Sequence, residues 1–244
     1  MIILKMILGI IAAIVAAAAV VAIIAFAVDL FTGSSHKPRG PYERFFKRPL
    51  DAFLATGALI VLSPVFLITA IFVRIKLGSP VLFKQDRPGR NGKVFQLMKF
   101  RSMTNARDEN GRLLPDSVRL TTFGRKLRST SLDELPELIN IIKGDMSIVG
   151  PRPLLVRYLD YYNEYENRRH RVRPGLTGLA QIRGRNQASW EKRFSSDVEY
   201  TENVSFINDL KIIFKTVEKV LKREGIEYQE KCELIEDYFR RHND

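Results

Sequence analysis

Residues 6–28 run for 23 positions without a charged side chain, and residues 52–73 do so for 22, which restricts this chain more than anything else in it. As a helix the first segment would be ~35 Å long at ~1.5 Å per residue, enough for a hydrocarbon core of ~30 Å. Positive charge gathers after it, at Lys37, Arg39, Arg44, Lys47 and Arg48, against Lys5 and the terminus before it. That asymmetry predicts a transmembrane anchor with its N-terminus outside and its C-terminus in the cytoplasm. A cleavable signal peptide is the competing reading, but the apolar stretch exceeds the ~7–15 residues such peptides use.

The second segment differs in kind. Lys47 and Arg48 precede it and Arg74 and Lys76 follow it, so a full span would carry one basic pair to the outer side. Its midpoint is Ser63-Pro64. Proline removes a backbone donor and clashes with the preceding turn, and serine can bond the carbonyl left free. These features predict a helix-break-helix that enters one leaflet and returns to the same face, with a kinked spanning helix as the alternative. Two full spans would also place everything after residue 77 outside the cell.

The charge balance, 39 Lys and Arg against 27 Asp and Glu, is +12 and suits nucleic acid, an anionic membrane or phosphorylated substrates without choosing among them. A single cysteine, Cys232, excludes an internal disulfide and a Cys-based zinc site, and His36, His170 and His242 have no metal-ligand spacing. A reduced, cytoplasm-facing protein without zinc is expected.

From Gly78 onward the pattern turns soluble-like and shows no internal repeat. Short alternating stretches at Val81–Phe83 and Val94–Leu97 read as strands, separated by the turn-rich run Asp86–Gly92. Asn105 to Ser117 is polar and reads as an excursion. Helices are expected near 132–143, 154–169 and Asn208–Arg223, with a loop through Arg173-Pro174-Gly175. The last helix repeats Leu210, Ile213, Phe214, Val217, Val220 and Leu221 at helical spacing with lysines between them. Such a helix can lie on an anionic membrane or pack its apolar face into a core. The whole reads as an α/β, mostly helical, membrane-associated domain. An anchor and linker occupy 1–40, the re-entrant helix 41–77, a cytoplasmic catalytic domain 78–225 and a tail 226–244.

Chemistry concentrates at Ser131-Leu132-Asp133-Glu134-Leu135-Pro136. Pro136 belongs in a first helical turn, which puts both acids at a helix N-terminus where free N–H groups favour anions. Two readings stay open there. Ser131 or Asp133 caps the helix and Glu134 completes a capping box, or the two carboxylates are a nucleophile and a metal ligand. Arg125, Lys126 and Arg128 lie upstream, and Arg152 stands between Pro151 and Pro153. Arg173 and the pair Arg183 and Arg185 sit on glycine-containing turns. Guanidinium forks held on restrained backbone suit a diphosphate.

The ordered set Lys99–Met103, Ser131–Pro136, Lys143–Ser147, Gly150–Pro153 and Arg173–Gly178 resembles that of the bacterial sugar transferase family, the monotopic polyprenol-phosphate phosphoglycosyl transferases. The similarity covers about Tyr42 to Gly225 and is closest to the short members that initiate bacterial N-glycosylation. The Ser63-Pro64 break matches their re-entrant helix, while Met1 to about Gly40 has no counterpart in them. The resemblance implies Asp133 as nucleophile and Glu134 as Mg²⁺ ligand. It implies Arg128 and Arg152 as phosphate-binding residues, with Lys99 and Asp197 at positions the family needs. Spacing alone leaves open which acid attacks. It further implies a UDP-sugar donor, by analogy an N-acetylated amino sugar, and undecaprenyl phosphate as acceptor. The expected location is the bacterial inner membrane, with lipids as partners and the catalytic domain facing the cytoplasm. A nucleic-acid-binding membrane protein or a scaffold is the rival. No aromatic-interleaved basic patch supports the first, so no nucleic acid partner is expected, and the intact acid pair opposes the second.

Overall fold

The computed structural model describes residues 2–31, 40–184, 188–222 and 235–243. It is mostly helical, with two small two-stranded sheets. Helix α1 (Ile2–Phe31) contains, at Gly9–Ala27, the one segment among the described residues long and apolar enough to cross a membrane on its own. It packs along α2 (Lys47–Val61). Ala18 and Ala25 of α1 are buried while Ile10, Ile11, Ile23 and Ile24 stay exposed, so small residues mark the side that meets protein.

Helices α2 and α3 (Ser63–Leu77) bend by 65° at the break. Pro64 sits in the first turn of α3 and lacks the N–H that would have reached the Ile60 carbonyl. The Ser63 hydroxyl donates to that carbonyl instead, at 2.8 Å. The outer surface of α3 is apolar, with Leu67, Ile68, Ile71, Phe72 and Ile75 exposed.

Lys47 and Arg48, the basic pair that precedes this apolar segment, are buried in the protein. Arg48 donates to the carbonyls of Ile141 and Ile142 at 2.7 and 2.8 Å. Lys47 pairs with Asp209 at 2.6 Å, and Asp209 also accepts from the hydroxyls of Tyr42 and Tyr200. Asp51 accepts from Ser147. The start of α2 is thereby tied to segments that follow α3 in sequence, because a buried charge is tolerated only when paired.

The two predicted strands are present, longer than expected, and form a hairpin. Strands β1 (Leu82–Pro88) and β2 (Val94–Phe100) pair antiparallel from Leu82↔Phe100 to Pro88↔Val94. Asn91 and Gly92 hold the left-handed conformation the turn requires. The excursion forms isolated bridges, Met103↔Leu120 and Arg107↔Leu113, and ends in α4 (Asp116–Arg119) and α5 (Thr122–Ser129).

The continuous helix expected at 132–143 is broken. A 3₁₀ turn, Leu132–Glu134, precedes α6 (Glu137–Lys143), with Pro136 at its N-cap. Buried Asn140 locks α6 to β2, its carbonyl accepting from the Met98 N–H and its amide donating to Gln96 O. Strand β3 (Ser147–Val149) follows.

The helix expected at 154–169 is also broken. A 3₁₀ stretch, Val156–Tyr161, precedes α7 (Glu164–Asn167), which Asn163 starts afresh through a capping box with Glu166, and a second 3₁₀ turn, Arg168–Arg171, follows. Strand β4 (Gly175–Thr177) pairs parallel to β3. A Cβ on Gly175 would lie 2.1 Å from the Gly150 nitrogen, so glycine is obligatory at this crossing.

Helices α8 (Leu179–Arg183) and α9 (Trp190–Glu202) lead to α10 (Phe206–Lys222). Helix α10 answers to both readings: Ile212 is buried with Ile213 beside it in a cluster with Val149, Tyr200 and Val204, while Ile207, Leu210, Phe214, Val217 and Leu221 form an exposed apolar stripe. Within the expected tail, α11 (Ile235–Asn243) docks instead of trailing. Phe239 and Tyr238 pack among Tyr158, Tyr162 and Phe194, and Tyr238 donates to Glu166 at 2.6 Å. Phe239→Ala should undock α11. Amide protection across residues 235–243 should then fall in hydrogen exchange while the β1–β2 hairpin keeps its own, because deleting a buried phenyl costs about 3–5 kcal/mol.

Candidate active site

Ser131 decides where the two acids point. It follows α5 in the left-handed conformation, φ 56°, the position after a helix end that glycine usually fills. Its side chain makes no capping bond, and α6 begins three residues after Glu134, so the capping-box reading does not hold. Asp133 and Glu134 sit in the separate 3₁₀ turn rather than in the first turn of the α-helix. The sharp reversal at Ser131 turns that segment towards β2 and the Pro151–Pro153 arm.

The two carboxylates have opposite surroundings. Glu134 Oε1 takes the Lys99 ammonium at 2.6 Å and the Arg152 guanidinium at 2.9 Å. Burial alone would raise its pKa, but those two cations outweigh it and hold the acid well below the usual range. Asp133 is buried, and no hydrogen bond or ion pair reaches its carboxylate from any described residue. Burial foremost, then the neighbouring Glu134 charge, pushes it up to about 6 against the pull of Lys99, Arg128 and Arg152. An acid with that value is still largely ionised at neutral pH, yet poorly neutralised.

A third acid, Glu137, was not anticipated as a site residue. It is almost fully buried and shares Lys99 with Glu134 at 3.1 Å. Burial and the Glu134 charge raise its pKa against Lys99. Its signal in the sequence was spacing: three residues after Glu134, a turn apart, it can face the same cation.

The predicted site residues separate into groups. Lys99, Arg128 and Arg152 do surround the acid pair, with Arg128 Nε donating to Ser102 Oγ at 2.9 Å. Arg152 leaves the protein surface towards Glu134 with its side chain about half exposed. Its backbone carbonyl accepts from Arg169 Nη2 at 2.7 Å, and Arg169 forks onto Asp197 at 2.7 and 3.1 Å. Asp197 therefore stands behind the site and touches it through Arg169, a residue that the sequence reading passed over. Arg173 lies at the far end of α6, where its Nε donates to the Gly144 carbonyl. There, with Arg48, it complements the negative end of the helix. Arg185 lies outside the described residues.

Among the described residues no cluster of three metal-binding side chains occurs. The donor set nevertheless fits a hard cation shared with substrate phosphates. Both cations occupy Glu134 Oε1, so Oε2 and the Asp133 oxygens remain without a described partner. One or two carboxylates plus phosphate oxygens and water is the usual Mg²⁺ environment.

Residues 42–223 match the sequence model of the family described as bacterial sugar transferase. The chain belongs to the bacterial sugar transferase family. The match takes in every site residue discussed above and leaves α1 and α11 outside it. A protein named uncharacterized sugar transferase EpsL, from Bacillus subtilis, is 57% identical over 181 residues, covering 74% of this chain and 90% of that one. Exopolysaccharide production protein ExoY of Rhizobium meliloti is 40% identical over 202 residues, 76% of this chain and 89% of the relative. The UDP-glucose:undecaprenyl-phosphate glucose-1-phosphate transferase of Caulobacter vibrioides is 38% identical over 200 residues, 76% of this chain and 74% of the relative. This bacterial sugar transferase thus carries two adjacent acids on a 3₁₀ turn, Glu134 clamped by two cations and Asp133 without a described hydrogen-bond or ion-pair partner.

Proposed function

We propose that this bacterial sugar transferase moves a sugar 1-phosphate from a UDP-sugar to undecaprenyl phosphate through a covalent intermediate on Asp133. The observation that carries the reading is the contrast between adjacent acids. Glu134 is clamped by two cations, and the buried Asp133 carboxylate has no described partner. A nucleophile has to be free to move onto its target, and a carboxylate with little neutralisation gains most by forming a bond. The name of the Caulobacter relative supports the donor and acceptor classes.

In this reading an Asp133 oxygen attacks the sugar-bearing phosphorus of the donor. A phosphorus–oxygen bond forms, the bond from that phosphorus to the bridging oxygen breaks, and UMP leaves with the electron pair. A phosphate oxygen of undecaprenyl phosphate then attacks the same phosphorus, and the Asp133 carboxylate departs unchanged. Lys99 and Arg152 hold Glu134 and offset the phosphate charge, the electrostatic contribution such a transfer needs. Glu134 would hold Mg²⁺, which would supply further charge neutralisation when bound. Asp197 and Arg169 act by fixing the Arg152 backbone.

The lipid acceptor is consistent with the surface. The bent α2–α3 pair presents apolar side chains outward while its polar start is tied to the catalytic body. The exposed stripe of α10, flanked by Lys211, Lys215 and Lys219, suits an anionic interface. We place the hairpin in the cytoplasmic leaflet of the inner membrane, with α1 as a spanning anchor and the catalytic domain in the cytoplasm.

Incubating the enzyme with donor alone tests the covalent step. About one UMP per active site should be released, and the protein should gain the mass of a phosphosugar. Both signals should disappear in excess EDTA and return with Mg²⁺. An enzyme active with lipid present but giving neither signal would transfer directly, and the two acids would need other roles.

A further inference from the structure

Arg87, at the end of β1, forms no ion pair with any described residue. In the antiparallel hairpin directly opposed residues share a face, so Arg87 and Phe95, Gln85 and Leu97, Phe83 and Lys99 all point the same way. Lys99 on that face reaches Glu134 and Glu137. Arg87 lies four positions along from Phe83, about 13 Å at ~3.3 Å per residue, and so faces the same side of the sheet as the acids but away from the clamp itself.

Its guanidinium is partly buried. Nε is closed off from solvent with no hydrogen-bond partner, and Nη2 donates to a neutral group, Gln85 Oε1, at 2.6 Å. No carboxylate comes within ion-pair distance of it among the described residues. Burial and then the nearby Arg152 charge hold its pKa below the ordinary arginine value, against the opposing pull of Glu137. The adjoining cleft, between Pro88-Gly89 on the hairpin and Pro151–Pro153 on the arm, is lined by Arg152 and Arg169 and by no acid. His170, also in its wall, is neutral, because burial and Arg169 push it down to about 3. Arg152 and Arg169 are already paired with Glu134 and Asp197, whereas the neighbouring Arg87 has no ion pair among the described residues, and a partly buried guanidinium in that state favours an anionic partner.

Resting on the donor reading above, we infer that Arg87 is a donor-binding residue that grips the departing, nucleoside-bearing phosphate of the diphosphate while Arg152 serves the transferred one. The position supports that division of labour. Arg152 is bonded to Glu134, next to the attacking Asp133, whereas Arg87 lies further from the acids along the hairpin. Charge builds on the leaving phosphate as the bridging bond breaks, and the planar fork of arginine suits its oxygens.

The test uses the full chain in detergent with Asp133→Asn as parent, so that nothing turns over, and titrates UMP and UDP by calorimetry. Adding Arg87→Gln should weaken both ligands at least tenfold, with an unchanged melting temperature in their absence. Arg87→Lys, which keeps the charge and loses the fork, should fall in between. With Asp133 intact, Arg87→Gln should raise the KM for donor and leave that for undecaprenyl phosphate unaltered. Equal UMP affinity in parent and Arg87→Gln overturns the inference, and if Arg87→Gln does not fold, equal affinity in Arg87→Lys does the same. A parent that binds neither UMP nor UDP, though folded, would overturn the donor reading itself and the role of Arg87 with it.

Discussion

Asp133→Asn should abolish transfer and at the same time make the protein more stable at neutral pH. Removing a covalent nucleophile lowers turnover by about 10³-fold or more, and UMP release from donor alone should vanish with it. The stability gain follows from the raised acid. Asp133 sits at about 6 in the folded protein against an ordinary value near 3.8. A group raised on folding favours the fold where it is protonated. The wild type therefore loses stability as pH rises from about 4 to about 6, and the full penalty persists above that. Each pKa unit is worth about 1.4 kcal/mol, so the difference at pH 7.5 should be roughly 1–3 kcal/mol in favour of Asn. Denaturant unfolding at pH 4 and pH 7.5 measures it. A gap that is the same at both pH values would mean that the carboxylate is not its source. In the wild type, donor-alone UMP release should rise with pH through about 6, as the carboxylate becomes available.

Lys99→Met should be the most damaging change at the site that leaves both acids of the pair in place. One ammonium neutralises Glu134 and Glu137 together, and its side chain is 18% exposed. Removing one partner of a buried pair costs about 3–5 kcal/mol, because the other charge is left uncompensated. Partial exposure brings the expected loss to about 2–4 kcal/mol near pH 7. The deficit should shrink as pH falls, since protonating the abandoned acids removes their charge. Glu137→Gln in the same chain should recover much of the stability and little of the activity, because Glu134 would still lack a cation that orients it. If the double variant is no more stable than Lys99→Met, Glu137 is not charged through Lys99 in the way the geometry implies.

Much of this protein can be read locally. The Ser63-Pro64 break follows from the missing proline N–H and a hydroxyl able to replace it, both encoded within four residues. The hairpin follows from alternation around a turn-forming run, and the family is legible in ordered motifs. Local reading failed where a short-range signal had two outcomes. Ser131 has the composition of a helix cap, yet the end of α5 claims it as a left-handed terminator, and Asn163 starts a new helix inside a run that reads as one. Helix α9 was passed over although Phe194 and Val198 recur one turn apart behind the Ser189 cap.

The sequence by itself determined which chemical groups the site has: two adjacent acids, a lysine and a proline-held arginine. It also determined that an apolar helical segment broken at Ser63-Pro64 precedes them in the chain. Only the tertiary structure decided which acid is free. Lys99 reaches Glu134 across 35 positions because Asn140 fastens α6 to β2, and Arg152 arrives from another segment altogether. The same long-range packing moved Asp197 behind Arg169, drew Arg173 to the far end of α6, buried Lys47 and Arg48, and left the apolar stripe of α10 uncovered. Periodicity and capping reflect forces that act within a turn or two of the chain. Charge pairing and burial depend on which distant segments meet, and they set the difference between a clamped carboxylate and one without a described partner.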